Sequence, residues 1–191
     1  GHLRPAAELR AALALDALRV MPGARSPFRD APLASDAHRW RMTELGCAEF
    51  PGLTPDDREL RRGGLSYAIE TLESLRAEYP AAALVLIVGA DAASGLERWH
   101  RWPHHLELAH IVQLSRPGCE APVPGWARAR VCAGAAGLRA ERAGRFLPFT
   151  VSPQRVSSTD IRVRLAKKES VAGLVPEAVR VYIENNHLYG A

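Results

Sequence analysis

Ala83-Leu84-Val85-Leu86-Ile87-Val88-Gly89-Ala90-Asp91 is the stretch on which the fold turns. Its core is an unbroken run of aliphatic and β-branched residues that stops at a glycine, the pattern of a strand buried on both faces. Such strands belong to parallel sheets covered by helices, and this one is expected near the centre of its sheet. Gly89 lets the backbone approach a ligand, and the Asp91 carboxylate can accept from hydroxyl or amino groups. Ligands of open α/β sheets gather at these carboxyl ends. An Asp at a helix start is also an ordinary cap, and taken alone the turn reads more readily that way.

Helical and extended patterns alternate on both sides of this run. The alternation argues for an α/β fold, a Rossmann-like doubly wound parallel sheet with helices on both faces. A helix is expected from Arg4, with Pro5 in its first turn and Ala6, Leu9 and Leu13 on one face, ending near Leu15. A short strand over 18–21 stops at Pro22-Gly23 and leads into a loop through Pro32. Ser35 reads as the cap of a second helix running to about Ala48, and 50–57 as an irregular strand or loop. Ser66 reads as the cap of a third helix with Ile69, Leu72, Leu75 and Tyr79 on one face. Residues 110–115 form a further strand, a helix is expected from Trp126 onward, and 146–151 reads as the last strand. Helices over 160–168 and 176–185 close the chain, the second with Val175, Val179, Tyr182 and Ile183 facing inward.

With 191 residues, 47% of them hydrophobic and 24% charged, the chain suits one globular domain with a sizeable core, spanning 1–191 with a helical C-terminal part from about 158. The longest apolar run, 81–88, is too short to cross a membrane, so no membrane partner is expected and the cytosol is the default compartment. Cys47, Cys119 and Cys132 are odd in number and widely spaced, which reads as reduced, structural cysteine. The net charge of +4 comes almost wholly from arginine, since Lys167 and Lys168 are the only lysines. Arginine suits bidentate phosphate contacts, but the basic residues are scattered among acids with no single stripe, which argues against nucleic acid as a partner.

Four further groups carry chemistry. Val156-Ser157-Ser158-Thr159-Asp160-Ile161-Arg162 places hydroxyls, free backbone amides and a guanidinium at one helix start, which is phosphate-binding chemistry as well as ordinary capping. His2 stands at the entrance of the first helix, where a lone histidine otherwise reads as a cap or surface residue. Trp99-His100-Arg101-Trp102-Pro103-His104-His105 joins aromatic and basic residues, and a tryptophan face can stack on a flat heterocycle or serve packing. The three histidines lack a familiar metal-ligand spacing. Arg116-Pro117-Gly118 follows a strand and puts a cation at the carboxyl-end rim.

In this order, Gly-His, strand, Pro-Gly loop, Ser-Tyr helix, Gly-x-Asp, Trp, Arg-Pro-Gly and Ser-Ser-Thr-x-Ile-Arg, the chain resembles the bacterial nicotinate-nucleotide adenylyltransferases of the nucleotidyltransferase α/β phosphodiesterase superfamily, over essentially its whole length. The resemblance implies adenylyl transfer from ATP to nicotinate mononucleotide with Mg²⁺, giving deamido-NAD and pyrophosphate, a step of NAD biosynthesis. It implies that His2 and Arg162 are catalytic and that His2, Gly89, Asp91, Arg116, Ser157, Ser158, Thr159 and Arg162 bind ATP. It further implies that Arg29, Ser66, Tyr67, Trp99 and His100 bind nicotinate mononucleotide, and it is compatible with a homo-oligomer. No metal-ligating residue is implied, Mg²⁺ being held by phosphates and water.

The chain departs from the family pattern in three places. The family's first strand and the first histidine of its His-x-Gly-His motif are absent. We expect them upstream of Gly1, an expectation that a start codon directly before Gly1 would refute. Phe28 stands where histidine is common in the substrate-phosphate loop, and Ala68 where threonine is usual. An adenylyltransferase for nicotinamide mononucleotide or phosphopantetheine, and a non-catalytic nucleotide-binding module, are the alternatives.

Overall fold

The computed structural model describes residues 1–28, 30–115, 118, 121–152 and 156–191. Parallel strands alternate with helices, the α/β class expected from the sequence. The chain divides into two compact units, one of Gly1–Ala11, Leu15–Ser66 and Gln154–Ala191, the other of Ala12–Ala14 and Tyr67–Pro153.

In the first unit, helix α1 (Leu3–Ala12) leads to strand β1 (Leu18–Val20), helix α2 (Asp36–Ala48), strand β2 (Leu53–Pro55) and a short helix α3 (Arg58–Arg62). Strands β1 and β2 pair in parallel, Leu18 opposite Leu53 and Val20 opposite Pro55. Ser35 caps α2 as expected, its Oγ accepting from the His38 amide at 3.3 Å. Gly46 is required where α2 meets its neighbours, because a Cβ there would lie 2.8 Å from Leu3 Cδ1 and 3.7 Å from Val179. Beyond β2 the buried Asp56 carboxylate accepts from Arg19 at 3.0 Å and from Arg58 at 2.8 Å. Burial pushes its pKa up, but the hydrogen bonds from Arg58 and the charges of Arg58 and Arg19 outweigh that and hold it below the usual range.

Helices α4 (Ala68–Glu78), α5 (Ala90–Ser94), α6 (His105–Leu108) and α7 (Gly134–Arg139) belong to the second unit, with strands β3 (Val85–Gly89), β4 (His110–Ser115) and β5 (Phe146–Thr150). The three strands form a parallel sheet in the order β3-β4-β5. Among the described residues β3 pairs with β4, and the middle strand of the three is β4. Its Ile111 and Val112 are wholly buried, whereas Val85, Leu86 and Ile87 are half-buried. An apolar run states that both faces need cover, while lateral order is set by backbone pairing that side chains do not encode.

Two expectations change here. The helix read from Trp126 onward is a 3₁₀ turn over Gly125–Arg130 followed by α7, because Val131 and Cys132 run extended to pair with Phe146. Tyr79 is exposed rather than on the buried face of α4, which ends at Glu78; Ile69, Thr71 and Leu72 are the residues buried there. His110 is wholly buried with both ring nitrogens bonded: Nδ1 accepts from the Arg145 amide and Nε2 donates to the Glu141 carbonyl, each at 3.0 Å. That pairing specifies the neutral ring protonated on Nε2. Among the described cysteines, Cys47 is buried and Cys132 half-buried, and neither is in a disulfide; Cys119 lies outside the described residues.

Helix α8 (Ser158–Ala166) and helix α9 (Glu177–Asn185) complete the first unit. Val179 and Ile183 of α9 pack with Leu165 and Val171, as the inward face required, while Tyr182 is edge-on to His38 and lies 2.9 Å from its Nδ1.

Candidate functional site

In the first unit two helix starts meet. The His2 carbonyl accepts from the Ala6 amide at 3.1 Å, so His2 occupies the N-cap position of α1. Ser157 holds the same position on α8, in extended backbone, with its Oγ accepting from the Asp160 amide at 3.0 Å and donating to Asp160 Oδ2 at 2.6 Å. The hydroxyl thus caps the Asp160 amide and is itself held by the Asp160 carboxylate. The two starts lie at opposite ends of the sequence, yet they are neighbours: a Cβ on Gly1 would come within 3.0 Å of the Val156 carbonyl oxygen.

The capping reading of the Ser-Ser-Thr segment holds at Ser157. Ser157 is a cap, and its hydroxyl is engaged with Asp160. Ser158 and Thr159 are exposed in the first turn of α8, where backbone amides have no intrahelical acceptor. Arg162 stands one turn further on, with its guanidinium 3.4 Å from the Thr159 hydroxyl, which accepts from it. Hydroxyls, amides, a guanidinium and the positive ends of two helices form a donor set for phosphate oxygens. Tyr189, half-buried, lies within electrostatic reach of Arg162 and Arg39; burial raises its phenol pKa against the pull of both cations.

The second unit carries the carboxyl-end turn of β3. Gly89, not Asp91, holds the N-cap position of α5, and no side chain caps this helix. The reading of Asp91 as a cap is corrected accordingly: it lies exposed in the first turn, with its carboxylate uncommitted to capping. The space beside the Gly89 Cα is open, and a Cβ there would meet nothing within 4 Å. A flat ligand can therefore come against the backbone here while Asp91 accepts from its polar edge.

Tyr67 and His100 are brought together, their ring centroids 4.4 Å apart and tilted by 37°. Arg101 fastens the adjoining turn to α4 through two hydrogen bonds to Glu73, at 2.6 and 3.0 Å. This hydrogen bonding is the main reason that the Glu73 carboxyl lies below its usual range. Trp99 is half-buried and meets His105 edge-on, with centroids 5.8 Å apart at 71°. His105 is itself buried between Trp99 and Trp102, and its Nδ1 has no partner among the described residues. The histidines of this cluster serve separate ends, since His100 meets Tyr67 and His104 pairs with Glu107. Among the described residues no group of three or more His, Cys, Asp or Glu has metal-holding geometry.

Ser66 belongs to the first unit and does not cap α4; Tyr67 takes that position. Its Oγ instead accepts from the Ala24 amide at 2.7 Å, and its own amide donates to the Arg25 carbonyl at 2.7 Å. The loop after β1 needed an acceptor for a buried N–H, and that demand outranked the cap. Arg29 and Arg116 lie outside the described residues. Sequence reasoning missed Arg39, which spans from α2 to the carbonyls of Gly23 and Ala24. Its three-residue spacing from Asp36 was visible, but its carbonyl targets leave no trace in the sequence.

Comparison with known proteins gives a consistent result. A cytidylyltransferase-like family model matches residues 1–164. A protein of Pseudomonas paraeruginosa (strain DSM 24068 / PA7), named probable nicotinate-nucleotide adenylyltransferase, is 44% identical over 196 residues, covering 100% of this chain and 91% of its own length. One of the same name from Halorhodospira halophila is 40% identical over 194 residues, covering 100% of this chain and 89% of its own. Among solved structures, Plasmodium falciparum nicotinic acid mononucleotide adenylyltransferase complexed with NaAD has a TM-score of 0.64 at 12% identity, over 96% of this chain and 90% of its own. At that identity the likeness is one of fold.

Proposed function

The chain belongs to the cytidylyltransferase-like family, and from that premise we propose that it transfers the adenylyl group of ATP to nicotinate mononucleotide, releasing pyrophosphate and forming deamido-NAD. It is a nucleotidyltransferase of NAD biosynthesis. The observation that supports this reading is the approach of the α1 and α8 starts, with Gly1, next to His2, lying against Val156, next to Ser157.

A phosphate oxygen of nicotinate mononucleotide attacks the α-phosphorus of ATP, and the bond from that phosphorus to the bridging oxygen of the leaving pyrophosphate breaks. The substrate supplies the nucleophile, so the protein's part is positioning and charge stabilisation. His2, Ser158, Thr159 and Arg162 donate to the triphosphate, and Ser157 keeps the α8 start open toward it. Gly89 and Asp91 receive the adenosine, and the family resemblance adds Arg116 to the ATP contacts. Trp99 stacks on the pyridine ring, with Tyr67 and His100 near its carboxylate and Arg29 and Ser66 on the acceptor side. Backbone and side-chain donors around that carboxylate would disfavour the amide analogue, whose NH₂ leaves them unpaired.

Mg²⁺ neutralises charge on the triphosphate when bound. The donors at the two helix starts are hydroxyls, amides and a guanidinium, which suit phosphate oxygens rather than a cation, so the ion is held by phosphates and water. The test is pyrophosphate release from ATP and Mg²⁺ with nicotinate mononucleotide, nicotinamide mononucleotide or phosphopantetheine as acceptor. Nicotinate mononucleotide is expected to turn over fastest. A faster rate with phosphopantetheine, or no turnover with any acceptor, would overturn the reading.

A further inference from the structure

Two tryptophans meet the His105 ring, and they are anchored differently. Trp102 faces a column of aromatic contacts that runs into the core of the second unit. It lies edge-on to Trp126, with centroids 4.9 Å apart at 68°, and Trp126 lies edge-on to the wholly buried Phe146 of β5 at 5.3 Å and 87°. The indole N–H of Trp126 donates to the Ala93 carbonyl of α5 at 3.3 Å, which fixes the column to a helix as well as to a strand. Trp99 is half-buried, and the ring it meets among the described residues is His105.

His105 therefore joins the Trp99 indole to that column. It is 1% exposed, tilted by 33° against Trp102 with centroids 6.1 Å apart, and its carbonyl accepts from the Ala109 amide at 2.9 Å. Its Nδ1 has no partner among the described residues. A buried, unpaired nitrogen costs stability, so what this side chain contributes comes from its ring contacts and not from that atom. Burial first, and then the charges of Arg101, His100 and His104, hold its pKa at about 4, so it meets Trp99 as a neutral ring. Neutral aromatic rings prefer edge-to-face or offset contacts, and such a pair fixes the angle between two planes in a way that an aliphatic side chain of similar bulk does not.

We propose that His105 is the positioning residue of Trp99: its ring, backed by Trp102, Trp126 and Phe146, sets the plane in which the indole meets the pyridine ring of the acceptor. The proposal rests on the adenylyl-transfer reading above, in which Trp99 is the stacking surface. A binding group displaced by about an ångström can cost up to roughly a hundredfold in rate.

Steady-state kinetics of pyrophosphate release in H105F, H105L and H105N test it. H105F keeps a flat ring without the unpaired nitrogen, H105N keeps polar atoms without the ring, and H105L keeps only the bulk. In H105L and H105N the KM for nicotinate mononucleotide is expected to rise about tenfold while the KM for ATP stays within about twofold. H105F is expected to recover most of that loss. H105L is expected to melt no lower than the wild type at pH 8, because the unpaired nitrogen is gone, so its raised KM would not reflect a weakened fold. The near-UV circular dichroism of Trp99, taken as the difference between each protein and the same protein carrying W99F, is expected to persist in H105F and to weaken in H105L. An unchanged acceptor KM in H105L, parallel rises in both KM values, or an H105N variant with wild-type kinetics would overturn the proposal. If no acceptor turned over, the functional reading would fail on its own; the Trp99 signal needs no substrate, and finding it unchanged in H105L would overturn this proposal separately.

Discussion

Arg39 and Arg162 are both half-buried arginines of the first unit, and their partners separate their roles. Arg39 is committed to two carbonyls and a carboxylate. Among the described residues Arg162 makes one long hydrogen bond, from its guanidinium to the Thr159 hydroxyl, which leaves most of its fork for a ligand. Arg162→Ala is therefore expected to lower kcat/KM for ATP by about a hundredfold, the usual scale for losing a charge-stabilising donor. Arg162→Lys should retain charge but lose the bidentate geometry and recover only part. Thermal melting of both variants should match the wild type, and a loss of activity that tracked a loss of stability would refute the role. Sequence reading singled out Arg162 because arginine one turn into a hydroxyl-rich helix start has local meaning. Arg39 was not legible, because its targets are backbone carbonyls, which every residue possesses.

At the scale of elements, the start of α8 is capped by Ser157, and substitutions there can separate capping from the proposed ATP contact. Ser157→Ala removes the cap and should cost about 1 kcal/mol of stability, whereas Ser157→Gly costs only a few tenths. Ser157→Asp keeps a good cap but sets a carboxylate beside the triphosphate. If this helix start receives ATP, Ser157→Asp will melt near the wild-type temperature and yet show a strongly raised KM for ATP. Unchanged ATP kinetics in that variant would reduce the segment to a cap. Elements were legible where their determinants are local: Ser35 at the head of α2, the apolar face of α9, and the β4 and β5 strands. They were misread where a distant group intervened. Ser66 has a cap's chemistry and position, but the Ala24 amide claims its hydroxyl. Likewise the helix expected from Trp126 yields at Val131 and Cys132 to pairing with Phe146.

For the molecule as a whole, two buried imidazoles set an acid limit on stability. Burial first, and then the charges of Arg101, His100 and His104, depress His105 from an ordinary value of 6.5 to about 4. Burial likewise lowers His110, against the opposing hydrogen bond to Glu141. The folded pKa of each lies below its unfolded value, so on acidification the unfolded chain takes up protons that the fold refuses. Stability is thus fully present above the unfolded pKa of about 6.5 and is lost as pH falls toward 4. His105 alone should account for a loss on the order of 1–2 kcal/mol at about pH 5. Melting temperatures across that range should fall with pH in the wild type and fall less in His105→Leu. Equal slopes in the two proteins would show that His105 is not the buried neutral group described.

The sequence by itself determined the α/β class, the places of most strands and helices, and the residue types able to bind phosphate and a nucleoside. These follow from periodicity, turn chemistry and helix-end electrostatics, all of which act within a few residues. Only the tertiary structure decided that β4 stands between β3 and β5 among the described strands, that Ser66 and Arg39 hold the turn after β1, and that the α1 and α8 starts adjoin. Those outcomes depend on which backbone N–H and carbonyl groups find partners across the fold, and backbone groups are the part of a chain that side-chain identity does not label.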